Sequence, residues 1–386
     1  MPDRCSRPLF PPALPARSAR PSEVPLPRPP RPLRPRLLAA AALVAVVGGL
    51  LPVAVAPAGP GGSPASAAPS WPQPQPFPVT SDPPDRLADV PPGSEYVALG
   101  DSYSAGYGLA DPTHLPTNVC GQSARDYPHR IAQRFGLALT DVTCAGATSD
   151  DVTSGSQFAG VPPQIEALSS ATRLVTLTIG GNDADLFGTA ASCLALSANG
   201  PVFSGRDAAS CESTLVRDGE DELGTKIASR VALGVADTLA RVTAAAPNAV
   251  VVFLGYPAIF PDAEHTPAKG CFRSAVDLGS LAGSFPTNSY PFTDTDVAYL
   301  HGVQEQLNAV SAAAARAADV RFVDVFSRTQ ARSACATKRP YVSGVSLDGT
   351  GNLQRIDLEP GALHPNERGV AYLTDQVADA VEDLAG

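Results

Sequence analysis

Five short apolar runs, alternating with helical patterns, most constrain what this 386-residue chain can fold into. The runs lie at 96–99, 138–142, 174–179, 250–254 and 320–325. The last three are rich in Val, Leu and Ile and read as strands buried on both faces. Helical patterns occupy 126–135, 223–246, 296–318 and 366–384. In the last of these, Leu373, Val377 and Val381 recur at helical spacing. Strand–helix alternation predicts a parallel sheet covered on both faces, the α/β class. Two stretches, 184–222 and 256–295, are too long for simple connections and each contains cysteine. Long ordered insertions near strand ends commonly shape a substrate site, and that is the expectation here.

The segment before the first run has a different composition. Residues 1–36 hold eight of the 28 basic residues and two of the 38 acidic ones, which leaves a net of −16 for the rest. A body this acidic argues against a nucleic-acid partner. Arg34-Pro35-Arg36 precedes an apolar run from Leu37 to Val55, and Ala65-Ser66-Ala67 follows. Basic region, apolar region and small-residue site read as a secretory signal over 1–67, with a long Pro-rich n-region. Because that n-region is so long, a start downstream of Met1 is an alternative. An uncleaved signal anchor at the outer face of the membrane is the competing reading. Residues 68–93 read as a Pro-rich linker, and 94–386 as one globular domain.

Cysteine use agrees with export. Cys5 lies in the signal region, and Cys120, Cys144, Cys193, Cys211, Cys271 and Cys335 remain. An even count outside the cell suggests three disulfides, with fifteen possible connectivities. Sequential pairing closes the shortest loops and is the expectation: Cys120–Cys144, Cys193–Cys211 and Cys271–Cys335. No Cys-x-x-Cys spacing occurs, so no metal is expected at these cysteines.

Polar groups gather where the strands end. The first run leads into Gly100-Asp101-Ser102, which puts a hydroxyl at the carboxyl edge of a sheet, where open α/β folds build active sites. Alone, this is a turn tripeptide. It becomes chemically meaningful only with a base and oxyanion donors. The third run ends in Gly180-Gly181-Asn182-Asp183, where Asn182 could donate a side-chain N–H to an oxyanion. A tight turn explains it equally well. Gly146, after the second run, could offer a backbone N–H, although turn geometry is the default explanation. Of five histidines, His364 stands out because Pro365 and a helix follow it, fixing its backbone.

Together these segments resemble the SGNH or GDSL hydrolases, whose four blocks occur here in family order. Gly100-Asp101-Ser102 matches the first block, Gly146 the second, Gly181-Asn182-Asp183 the third and His364-Pro365-Asn366 the last. The resemblance spans 94–384 and is strongest to the secreted bacterial branch of lipases, esterases and phospholipase A1. It implies a flavodoxin-like three-layer α/β/α sandwich with about five parallel strands. It also implies Ser102 as nucleophile, His364 as general base, and the Ser102 N–H, Gly146 N–H and Asn182 side chain as the oxyanion hole. Six cysteines paired in sequence are a property of that branch, which supports the pairing above.

Two positions depart from the family pattern. Tyr103 replaces the usual Leu of the first block. Gly361 stands three residues before the histidine, where the family usually carries its acid. Some secreted relatives orient the histidine with a backbone carbonyl, so the Gly361 carbonyl is expected to accept the Nδ1–H of His364. Asp357 and Glu359 are the alternatives.

The resulting expectation is a secreted, monomeric carboxylic-ester hydrolase of lipid or short acyl esters, with no cofactor. Membrane contact would come only through a signal anchor or a lipid substrate. A carbohydrate O-acetyl esterase is the nearest rival, and a non-catalytic surface-binding module on the same fold is a more distant one. The single Trp, Trp71, lies in the linker, so the domain lacks Trp platforms for sugars.

Overall fold

The structure, a computed structural model, describes residues 90–203, 208–282, 284–349 and 356–385. The expected signal region and nearly all of the linker lie outside these residues. Five strands form one sheet: β1 (Glu95–Gly100), β2 (Ala138–Asp141), β3 (Thr172–Thr178), β4 (Val250–Leu254) and β5 (Arg321–Val323). Their order is β2-β1-β3-β4-β5 and every neighbouring pair is parallel. This is the doubly wound order whose sites lie outside the carboxyl ends of the strands.

Two hydrophobic clusters follow from the period-2 alternation of the strands. On one face, Val97, Leu99, Val175, Leu177 and Phe253 pack against α2 (Ala232–Ala245) and α3 (Asp294–Ala317). On the other, Tyr96, Ala98, Leu174, Val252 and Leu254 meet α1 (Tyr127–Phe135) and α4 (Glu367–Ala385). The helices start where capping chemistry allows. Asp126 caps α1 by accepting the His129 N–H, and Thr293 caps α3 by accepting the Asp296 N–H. The architecture is the expected three-layer α/β/α sandwich.

Two expectations need correcting in detail. The run at 320–325 contributes only a three-residue edge strand, β5, with Arg321 exposed. Its apolar residues still reach both faces, Val320 and Phe322 packing with one cluster and Val323 and Val325 with the other, and the edge position tolerates the charge of Arg321. The helix expected over 223–246 is interrupted. Glu222–Lys226 is followed by a π-helical turn, Ile227–Val231, before α2 begins. Val231 of that turn and Val235 of α2 close over Gly180, where a Cβ would lie 2.8 Å from Val235 Cγ2.

Candidate active site

β1 ends at Gly100, whose φ of +121° and whose tight approach to β3 demand glycine. A Cβ there would lie 2.4 Å from the Thr178 carbonyl oxygen. The chain then enters a single helical turn, Ser102–Ala105, capped by Asp101, whose Oδ1 accepts the Tyr103 N–H at 2.9 Å. Ser102 opens that turn with its side chain at the sheet's carboxyl edge.

His364 arrives from 262 residues away. Its Nε2 is 2.7 Å from Ser102 Oγ. Its Nδ1 is 2.7 Å from the Ala362 carbonyl oxygen. A carbonyl can only accept, so Nδ1 carries the proton and Nε2 presents a lone pair to the serine hydroxyl. The acceptor is therefore not the Gly361 carbonyl. That oxygen accepts the backbone N–H of His364 at 3.1 Å, closing the turn that carries the histidine. The i→i+3 bond occupies the Gly361 carbonyl and leaves the next one, Ala362, facing the ring. Glu359 is exposed. Asp357 lies in a short hairpin, its backbone in register with Asp348.

Burial pushes the His364 imidazole down to about 4, with the Ala362 hydrogen bond opposing the shift. The ring is neutral at neutral pH. Tyr103, Tyr107 and Phe187 surround it with ring centroids at 4.9, 5.3 and 5.5 Å. The Tyr103 hydroxyl donates to the Leu363 carbonyl at 2.6 Å. The position where the family usually has Leu thus ties the serine turn to the histidine turn. Gly108 lies against the same turn, where a Cβ would fall 2.3 Å from the Gly361 Cα.

The oxyanion candidates share this edge. Asn182 Nδ2 donates to the Ala147 carbonyl at 3.0 Å, which fixes the amide against the segment after β2. That bond uses one of two N–H groups. Gly146, at φ +82°, is exposed, and its backbone N–H has no acceptor among the described residues. The same holds for the Ser102 N–H. Asp183, beside Asn182, accepts the Ser149 N–H and hydroxyl at 2.8 and 2.6 Å. This second tie joins the ends of β2 and β3.

Sequence reasoning passed over one residue at this edge. Tyr256 follows β4, and its hydroxyl donates to Asp101 Oδ2 at 2.5 Å while accepting the Gly181 N–H at 2.8 Å. A polar-tipped aromatic at a third strand's carboxyl end was the available signal. Burial pushes the Asp101 carboxyl up to about 7, against the hydrogen bonds from Tyr256 and Tyr103.

A cleft of about 540 Å³, its open mouth included, begins at Ser102. Leu186, Phe187, Ile259, Phe260, Leu300 and Leu307 are among its walls. The two long insertions contribute Leu186, Phe187, Ile259 and Phe260, as expected of them. Gln304 also lines it, but its amide is spent on the Pro257 carbonyl and the Ile259 N–H. All three sequential disulfides are present: Cys120–Cys144, Cys193–Cys211 and Cys271–Cys335. The first holds the segment that carries Gly146, and the second lies within the insertion that carries Phe187.

Residues 98–372 match the GDSL-like Lipase/Acylhydrolase family. The chain belongs to that family. It is 34% identical over 301 residues to Lipase 2 of Streptomyces coelicolor, covering 76% of this chain and 88% of that one. It is 29% identical over 309 residues to an esterase of Streptomyces scabiei, covering 75% and 86%. Among solved structures, the extracellular lipase of Streptomyces rimosus superposes with a TM-score of 0.51 at 24% identity, over 75% of this chain and 100% of that one. Phospholipase A1 of Streptomyces albidoflavus gives 0.52 at 24%, over 74% and 99%. These two support the fold. This GDSL protein is a carboxylic-ester hydrolase, and its substrates are small-molecule esters.

Proposed function

We propose that this GDSL hydrolase is an exported lipase or esterase that cleaves esters of apolar acyl chains through an acyl-enzyme on Ser102. The observation that carries this reading is the 2.7 Å contact between Ser102 Oγ and His364 Nε2 at the mouth of an apolar cleft. His364 takes the hydroxyl proton at Nε2 as Oγ bonds to the ester carbonyl carbon. The carbonyl π electrons move onto oxygen. The Ser102 N–H, Gly146 N–H and Asn182 Nδ2–H receive that charge, and loss of one such donor typically costs about 3–4 kcal/mol. Collapse of the intermediate breaks the bond to the leaving alkoxide, which His364 protonates. Water then attacks the acyl-enzyme, with His364 again as base. The Ala362 carbonyl fixes the tautomer through both steps, without a carboxylate.

The cleft favours acyl chains over sugars, because its walls are aliphatic and aromatic and the Gln304 amide is already satisfied. Three disulfides suit action outside the cell. No helix among the described residues is long and apolar enough to cross a membrane. We read the chain as a monomer, exported by the segment 1–67.

The test is hydrolysis of p-nitrophenyl esters from acetate to palmitate, with phospholipid and acetylated sugar alongside, by wild type and Ser102→Ala. The variant should lose about 10⁴-fold or more in kcat. Equal rates would remove Ser102 as nucleophile. A preference for acetylated sugar over every longer acyl ester would move the enzyme to the carbohydrate esterases.

A further inference from the structure

On the helix α1 side of the sheet, Asp126, His129 and Asp141 converge. One ligand-capable atom from each lies within 4.8 Å of the other two. None of the three lines the cleft at Ser102. Asp126 caps α1, and its Oδ1 accepts the His129 N–H at 2.8 Å. Asp141 ends β2, and its Oδ1 accepts the Thr143 N–H at 3.0 Å and the Thr143 hydroxyl at 2.7 Å. Each carboxylate thus uses one oxygen to hold the fold. Each leaves the other, Oδ2, buried with no hydrogen-bond partner among the described residues. The Asp126 side chain is 0% exposed and that of Asp141 5%.

Two buried, unpaired carboxylate oxygens are costly, and native folds seldom keep them without a proton or a cation between them. His129 Nδ1 lies 2.8 Å from Asp126 Oδ1 and 3.5 Å from Asp141 Oδ2. The spacing to Asp141 Oδ2 is close to the roughly 3.3 Å between neighbouring ligands on a tetrahedral ion with bonds of about 2.0–2.1 Å, while the contact to Asp126 Oδ1 is a hydrogen bond that the ion would replace. The His129 side chain is 31% exposed, so the cluster reaches solvent on its imidazole side.

We propose that Asp126, His129 and Asp141 form a binding site for a divalent transition-metal cation of the zinc class, separate from the ester-cleaving site. One imidazole with two carboxylates is a borderline donor set. It suits Zn²⁺ and Mn²⁺ better than Ca²⁺ or Mg²⁺, which take oxygen ligands. The cation joins the first residue of the α1 cap to the last residue of β2. It neutralises the carboxylate pair there. From Asp141 the chain runs three residues to the Cys120–Cys144 bridge and two more to Gly146, so the cation stiffens the strand end that delivers Gly146.

The test strips the purified protein with a chelator and titrates it with ZnCl₂, using MnCl₂ and CaCl₂ as comparison arms. Calorimetry should show one Zn²⁺ bound per chain, with a rise in Tm and weaker binding of Ca²⁺. Asp141→Asn and His129→Gln should each weaken Zn²⁺ binding at least about tenfold. Ester hydrolysis by each variant reports that it is folded. Zn²⁺ binding that is unchanged in both variants places the ion elsewhere and overturns the proposal. So does a wild type indifferent to all three metals, with Asp141→Asn more stable than wild type. That result identifies a carboxylate pair sharing a proton.

Discussion

The Tyr256 phenol and the buried Asp101 carboxylate meet in a hydrogen bond of 2.5 Å, and the same phenol oxygen accepts the Gly181 N–H. Asp101 immediately precedes the serine and Gly181 immediately precedes Asn182. One side chain from the end of β4 thereby spaces Ser102 after β1 from Asn182 after β3, the nucleophile and the oxyanion donor of the proposed mechanism.

Tyr256→Phe removes the donor and the acceptor together without changing the ring. The fold should persist, because the ring still packs edge-on to Tyr103 at 4.9 Å. The Gly181–Asn182 turn loses its anchor, so kcat should fall between about ten- and a hundredfold with little change in KM. The stability loss should depend on pH. The bond is charge-assisted once Asp101 ionises, and burial has pushed that carboxyl up to about 7. Removing Tyr256 raises it further. The difference in unfolding free energy between wild type and variant should therefore grow as pH rises through about 7. Denaturant melts at pH 5.5 and about pH 8.5 check the sign, and a difference that shrinks with pH would contradict it.

The parts of the site legible in the sequence were those whose neighbours along the chain already fixed their geometry. Ser102, Asn182 and Gly146 lie two, four and five residues beyond the ends of β1, β3 and β2, so a strand assignment also places them at the sheet's carboxyl edge. β3 and β4 were legible because their residues are buried on both faces. β5 was overextended because an apolar run does not reveal which strand lies at the sheet edge. Tyr256 was missed because its partners, Gly181 and Asp101, are 75 and 155 residues away. Assigning the Gly361 carbonyl to His364 failed for a different reason. Which of two successive carbonyls faces a ring depends on the turn between them, and Leu363 at φ +60° decides it.

The pH profile of hydrolysis should carry the mark of His364. An ordinary histidine base gives an acid limb near pH 6.5. Burial has pushed this one down to about 4, so the neutral, competent form persists to lower pH. The value of kcat/KM should stay flat from neutrality to about pH 5 and halve near pH 4. Stability runs the other way. The unfolded histidine binds a proton between about 6.5 and 4 while the folded one does not, so this group destabilises the fold as pH falls through that window. Short assays after a pH jump separate the two effects. An acid limb at 6.5 with the fold intact would count against the buried, neutral base.

Restoring the family's acid should fail here. Gly361 sits at φ +87°, in the left-handed region that L side chains seldom adopt. Its Cβ would also lie 3.2 Å from the Gly108 Cα. Gly361→Asp should therefore lower kcat, by strain on the turn that holds His364, rather than add a third catalytic group. Glu359→Gln should keep most activity because Glu359 is exposed. A rate gain in Gly361→Asp, or a loss near 10⁴-fold in Glu359→Gln, would mean that a carboxylate orients the histidine after all.

The disulfides should differ in what their loss does. Cys271–Cys335 spans 64 residues and Cys193–Cys211 spans 18. Chain entropy alone assigns about 4 kcal/mol to the longer loop and about 3 kcal/mol to the shorter. Function should rank them in the opposite order. Cys193–Cys211 lies within the insertion that supplies Leu186 and Phe187 to the cleft, and Phe187 also packs on His364. Replacing both of its cysteines by Ser should loosen that wall, raising KM for long-chain esters more than for acetate. Replacing Cys271 and Cys335 should lower Tm more and leave the ratio of long- to short-chain hydrolysis nearer wild type. Calorimetric melts paired with the p-nitrophenyl ester series read both effects. If the two double variants shift chain-length preference equally, Cys193–Cys211 has no special hold on the cleft wall.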